Sequence, residues 1–136
     1  MTAQPQTQTQ PAFTAQAFEA FWANPSPEAV RPELFTDDVT GYWPDTVLHG
    51  TAEYTARLKQ LLELLPDLRL EVGDHADNGE HIFVRWIMRA TGRHGAFEMG
   101  GVDRIKVRDG LVAENRIYFD TKRFEQLSGY ELPSAS

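Results

Sequence analysis

Leu68-Arg-Leu-Glu-Val72, His81-Ile-Phe-Val-Arg-Trp-Ile-Met-Arg-Ala-Thr91, Ala96-Phe-Glu-Met-Gly-Gly-Val-Asp-Arg-Ile-Lys-Val107 and Leu111-Val-Ala-Glu-Asn-Arg-Ile-Tyr-Phe-Asp120 are the four runs whose reading decides the fold. In the first, Leu68, Leu70 and Val72 alternate with Arg69 and Glu71, the period of two that a strand with one buried face requires. Asn78-Gly79, Gly92 to Gly95 and Asp109-Gly110 separate the runs. Asn-Gly and Asp-Gly favour type I′ turns, in which both central residues take positive φ. The four runs therefore predict an antiparallel meander. Gly100-Gly101, inside the third run, is where a bulge or kink would bend it.

Upstream the period lengthens. Tyr54, Leu58, Leu61, Leu62 and Leu65 recur at helical spacing behind Thr51, a capping residue, and the run stops at Pro66. Val39 to Trp43 is β-branched and aromatic and ends at Pro44, which predicts a short strand. Phe13 precedes a second capping residue, Thr14, and Phe18 follows at the spacing of a hydrophobic staple. A helix from Ala15 to Ala23 results, with Phe18, Phe21 and Trp22 on one aromatic stripe. Asn24 and Pro25 stop it, and Ser26-Pro27 opens a short second helix toward Leu34. After the last strand, Asp120 would cap a helix from Thr121 to Leu127 that closes near Gly129.

Residues 1–12, of which the first ten are mostly Gln and Thr with little to bury, read as a disordered tail. Residues 13–128 read as one domain and 129–136 as a C-terminal tail. The order of elements predicts an α+β cone, a strongly curved antiparallel sheet wrapped around three N-terminal helices with a central pocket.

Composition removes several classes of function. The 136 residues fit one domain, and 13 basic against 20 acidic side chains give a net charge of −7, the wrong sign for holding a phosphate backbone. No apolar run approaches the about 18 residues of a membrane span. There is no cysteine, and the N-terminus lacks the basic and apolar segments of a secretory signal. These features predict a soluble, cytoplasmic protein with neither nucleic acid nor membrane as partner. His75, His81 and His94 lie near turns and no histidine pair has metal-ligand spacing, so neither a metal site nor a cofactor is expected.

Phe35-Thr-Asp-Asp-Val39, Trp43-Pro44, His49-Gly50 opening a helix, Pro66-Asp-Leu68 and the run from Arg108 to Asp120 together carry a resemblance. From about Phe13 to Leu127 the chain resembles SnoaL-like members of the nuclear transport factor 2 superfamily, which implies the same cone. That superfamily contains ketosteroid isomerases, polyketide cyclases, limonene epoxide hydrolases, scytalone dehydratases and non-catalytic binding domains. The resemblance implies a small cofactor-independent enzyme of the lyase, isomerase or cyclase type, working by acid–base chemistry on a hydrophobic ring-containing or carbonyl compound. The alternative is a non-catalytic protein that binds a small hydrophobic molecule.

The resemblance also singles out residues. Asp120 stands where similar cyclases and epoxide hydrolases place a catalytic aspartate, and its alternative role is the plain N-cap of the following helix. Asp103 matches the protonated aspartic acid of the ketosteroid isomerase oxyanion hole, and strand parity puts it on one face with Phe97, Met99 and Gly101. Its alternative is a surface ion pair with Arg104 or Lys106. The general base of those isomerases is here Trp43. Arg85 matches an arginine of limonene epoxide hydrolases, but the acid two residues on is here Ile87, which disfavours epoxide opening. Arg85 would instead pair with Asp120 across the cone. Tyr118 and Arg116 share the parity of Asp120, and Asp120 with Tyr118 is expected to face inward. Ile117 and Phe119, on the opposite parity, are more apolar, so the parity facing the pocket stays open. Trp43, Trp22, Trp86, Phe18 and Met99 would line the cavity, with Phe97 and Arg116 beside them and His49 at the mouth. Trp86 and Met88 on one side of their strand, with Phe83 and Ile87 on the other, predict a homodimer joined through the sheet.

Overall fold

The computed structural model describes residues 12–132, so the tail predicted for residues 1–12 lies outside the described residues apart from Ala12. Helix α1 (Ala15–Ala23) begins where its cap and staple predict, the Thr14 hydroxyl accepting from Ala17 N at 3.1 Å. The second helix does not reach Leu34. It is a single 3₁₀ turn, Pro27–Ala29, which ends at Val30, whose ψ of 88° is already outside the helical region, just ahead of the Arg31-Pro32 pair that disfavours continuation.

Strand β1 (Phe35–Tyr42) starts ahead of the predicted Val39, and a tight turn leads to β2 (Val47–His49), absent from the sequence reading. Helix α2 (Gly50–Leu64) is capped by His49 rather than Thr51, the His49 N–H donating to Glu53 Oε1 at 2.7 Å. Strands β3 (Arg69–Asp77), β4 (His81–Gly92), β5 (Gly95–Arg108) and β6 (Leu111–Tyr118) form the predicted meander. Helix α3 (Thr121–Ser128) closes the fold at Gly129, which takes φ 80°.

The six strands run in the order β2-β1-β6-β5-β4-β3. All neighbours are antiparallel except β1 and β6, which pair in parallel, a correction to the purely antiparallel sheet. No hairpin links these two strands, so nothing in the connection forces an antiparallel match. Register shifts fall between Phe35 and Thr40, between Val72 and Asp74 and between Lys106 and Val107, while Gly100-Gly101 pairs with Ile87 and Trp86 without interruption. Gly101 serves a different need: a Cβ there would overlap the Trp86 ring.

The core lies between the concave face of the sheet and the helices, around Phe18, Val39, Leu58, Leu65, Val84 and Ile105. Trp86 and Met88 are buried within it, while Phe83 on the other face of β4 is 37% exposed. Tyr130 and Leu132 pack against the same core, so the folded chain continues past the predicted boundary at residue 128. Arg93 N donates to Ser128 O at 2.7 Å and Tyr130 N to Ser128 Oγ at 3.0 Å, which fixes that return. Among the described residues no helix is long and apolar enough to cross a membrane.

Candidate functional site

Four polar side chains meet inside the cone. Trp86 Nε1 donates to Asp103 Oδ1 at 2.8 Å, and Asn115 Nδ2 donates to Asp103 Oδ2 at 2.5 Å. Tyr54 Oη donates to Asn115 Oδ1 at 2.7 Å, extending the chain from β4, β5 and β6 to α2. Backbone glycines admit the two large rings at its ends. A Cβ at Gly41 would crowd the Tyr54 ring as one at Gly101 would the Trp86 ring.

Asp103 is 3% exposed. Burial pushes its carboxyl up to about 6, and the hydrogen bonds from Asn115 and Trp86 hold it back from rising further. Tyr54 is raised well above its ordinary value, first by burial and then by the charge of Asp103, so its hydroxyl stays protonated. The nearby Trp43 N–H opposes that rise without reaching hydrogen-bond geometry, and Trp43 Nε1 is left buried with no partner. A buried donor without an acceptor is costly, and a ligand oxygen would relieve it.

Asp103, Trp22, Trp43 and Ile117 line two adjoining voids of about 30 and 40 Å³. Phe18 and Phe21 add to the apolar wall of the first, and Trp86 and Phe119 to that of the second. Each has room for a few waters, whereas an apolar cavity that takes benzene is on the order of 150 Å³. A ring can enter only if the side chains between the voids move.

The candidates divide accordingly. Asp103 points inward and makes no surface ion pair; Arg104 and Lys106 lie near Glu114 and Glu80 instead. Phe18, Trp22 and Trp43 line the voids as expected. Asp120 and Tyr118 do not face the interior. Tyr118 is 53% exposed, and Asp120 is exposed with Oδ1 accepting from Arg123 N at 3.0 Å, the capping alternative. Ile117 and Phe119 take the inner face because the more apolar parity of a strand is the one that burial selects. Arg116 shares the outer parity, its guanidinium 3.9 Å from the Tyr42 ring centroid and beside Glu114. Arg85 is also on the outer face, bonded to Asp74 at 2.6 Å rather than to Asp120. His49 is an exposed helix cap and borders neither void. Phe97 packs on Phe124, and neither it nor Met99 lines the voids.

Tyr54 and Asn115 were missed as polar partners. Asn115 carried a signal: it is a polar residue on the apolar parity of Ile117, and such a residue must find partners inside. Tyr54 gave none, since its spacing on α2 is that of any core residue. Among the described residues no group of three or more His, Cys, Asp or Glu is placed to hold a metal ion.

The SnoaL-like domain profile matches residues 15–115. The chain belongs to the SnoaL-like family. Its fold is that of nuclear transport factor 2-like and ketosteroid isomerase-like proteins. A hypothetical protein with a ketosteroid isomerase-like fold from Catenulispora acidiphila, in complex with trimethylamine, is 15% identical, with 88% of this chain and 92% of that one covered and a TM-score of 0.75. TerC, co-crystallised with polyporic acid, is 20% identical over 85% of this chain and 95% of its own, also at a TM-score of 0.75. A protein from Bacillus cereus with a proposed assignment as a polyketide cyclase is 22% identical over 86% and 78%, with a TM-score of 0.72. At these identities the likeness shows the fold alone. No curated protein sequence matches the chain. SnoaL-like membership thus fixes the cone, and the chemistry rests on the residues inside it.

Proposed function

We propose that this SnoaL-like chain is a small enzyme that moves a proton on a carbon acid, with Asp103 in place of the expected Asp120. The substrate class is a hydrophobic, ring-containing carbonyl compound, and the reaction type is isomerisation, cyclisation or elimination. One observation carries the reading: a carboxyl pushed to about 6 lies in an apolar chamber lined also by Trp43, whose buried indole N–H has no hydrogen-bond partner. Near neutral pH most of Asp103 is ionised and its basicity exceeds that of an ordinary carboxylate, which suits abstraction of a proton α to a carbonyl. The developing enolate oxygen would accept from Trp43 Nε1, and the protonated Asp103 would return the proton to another carbon. Asn115 and Trp86 hold the carboxyl in place, with Tyr54 orienting the Asn115 amide. Proposed polyketide cyclases among the structural neighbours are in keeping with this class.

The test is exchange of α-protons of ring ketones such as 2-tetralone in deuterated buffer, followed by proton NMR. The protein should accelerate exchange, with a rate that rises with pH through about 6, and Asp103→Asn should lose about 10²- to 10⁴-fold. Exchange equal in the Asn variant, or no acceleration across a panel of ring ketones, would remove the acid–base reading and leave the non-catalytic binder.

A further inference from the structure

Three spaces meet at Trp43. Its side chain borders both inner voids, and the residue also borders an outer cleft of about 460 Å³ between the ends of β1 and β6, rimmed by Tyr42, Arg116, Tyr118 and Asp120. Ile117 and Phe119 stand at the same boundary, but Ile117 is held in the β5–β6 ladder opposite Asp103 and the Phe119 ring packs on both Trp86 and Phe124, at 6.2 and 6.0 Å. Trp43, by contrast, lies in a turn, and among the described residues its ring meets one other aromatic ring, that of Tyr54, at 6.4 Å.

Trp43 belongs to the turn before β2, closed by Trp43 N donating to Thr46 O at 2.9 Å. Asp45, in the same turn, accepts at both oxygens from Arg57 Nη2, at 2.7 and 2.9 Å. Arg57 is 2% exposed on α2, and its guanidinium lies 4.8 Å from the centroid of the Trp43 ring. One buried cation thus clasps the turn through Asp45 and supports the indole that plugs the chamber. Breaking the pair takes a carboxylate away from a guanidinium side chain that is only 2% exposed, while the Asp45 side chain, 22% exposed, keeps part of its hydration, so the pair favours the clasped state. Swinging the indole aside would join the water-sized voids to a cleft large enough for a ring compound.

We propose that Trp43 is the gate between the outer cleft and the buried chamber, and that the Arg57–Asp45 pair sets how often it opens. Arg57 and Asp45 are positioning residues that act through the indole. The inference rests on the reading of the chamber as the place where a ligand is held, and it adds the route by which a neutral ring compound enters.

The experiment uses the Trp86 indole N–H, which is bonded to Asp103 inside the chamber, as reporter. Its exchange with solvent, read by ¹⁵N NMR, is compared with that of the Val84 amide in the fully buried part of β4. Asp45→Asn, which keeps shape and removes charge, should speed Trp86 N–H exchange on the order of tenfold while Val84 is unchanged. Asp45→Glu, which retains the charge, should restore most of the protection. Trp43→Phe should speed exchange similarly and stands in if Asp45→Asn does not fold. Unchanged Trp86 exchange in both variants, or an increase shared equally by Val84, would overturn the gate, the latter because the chamber would then open by unfolding. If ketone exchange proves independent of Asp103 while Trp86 responds, the gate stands and the acid–base reading falls. The reverse pattern removes only the gate.

Discussion

Replacing Asp103 by Asn should make folding stability at neutral pH insensitive to a charge that the native protein buries. The folded carboxyl titrates at about 6 against an ordinary 3.8. Below the ordinary value it is protonated in both folded and unfolded chains and contributes nothing to the pH dependence. Between the two values the folded chain holds a proton that the unfolded chain has lost, so stability falls as pH rises. Above about 6 the loss is complete. A shift of about two units at about 1.4 kcal/mol each corresponds to about 3 kcal/mol. The introduced amide would carry no charge at any pH and so escapes this loss. It would accept from Trp86 through its oxygen, while Asn115 turns its own amide over to accept from the new Nδ2 and to donate to Tyr54 Oη. Any imperfection in that exchange adds an offset of about 1–3 kcal/mol that does not vary with pH. The measurement is urea unfolding of both proteins by circular dichroism from pH 3.5 to 7.5. With a slope of about 2 kcal/mol/M, the difference in midpoint should move by about 1.5 M in favour of the variant as pH rises. A difference that stays flat across that range would refute the claim that Asp103 is desolvated in an apolar chamber.

Asp120→Ala should lower stability by about 1 kcal/mol, the usual worth of an N-cap, as read by thermal unfolding. A loss several times larger would mean that Asp120 does more than accept from Arg123 N. Gly101→Ala should cost about 1–3 kcal/mol, because the added methyl displaces the Trp86 ring that bonds Asp103, and the Trp86 indole signal should shift with it. An unperturbed indole signal would show that the strand backbone yields instead.

Local signals in the sequence are strong where one short-range cause acts. The Thr14 cap with its Phe13–Phe18 staple, the helix ending before Pro66, the Asn78-Gly79 and Asp109-Gly110 turns and the Asp120 cap each depend on neighbours within about five residues, although of the two turns only Asp109-Gly110 takes positive φ at both residues. They fix α1, the body of α2, the meander and α3, and with the SnoaL-like pattern they make the cone legible. Asp103 was singled out by the resemblance to ketosteroid isomerases; its parity with Met99 and Gly101 permitted an inward position but left the surface ion pair open. What stayed hidden depends on partners far along the chain. The parallel match of β1 to β6 joins segments some 75 residues apart, with no turn between them to encode it. The inward parity of β6 was decided by which side chains the helices cover, and this sent Asp120, Tyr118 and Arg116 outward and Asn115 in. Tyr54 and Asn115 are 61 residues apart in sequence, and Trp86 and Asp103 are on paired strands; no periodicity reports that such groups share hydrogen bonds. Sequence alone determined which backbone elements form, because propensity, caps and turns act locally. Tertiary packing decided which polar groups are desolvated together, because desolvation depends on everything that surrounds them.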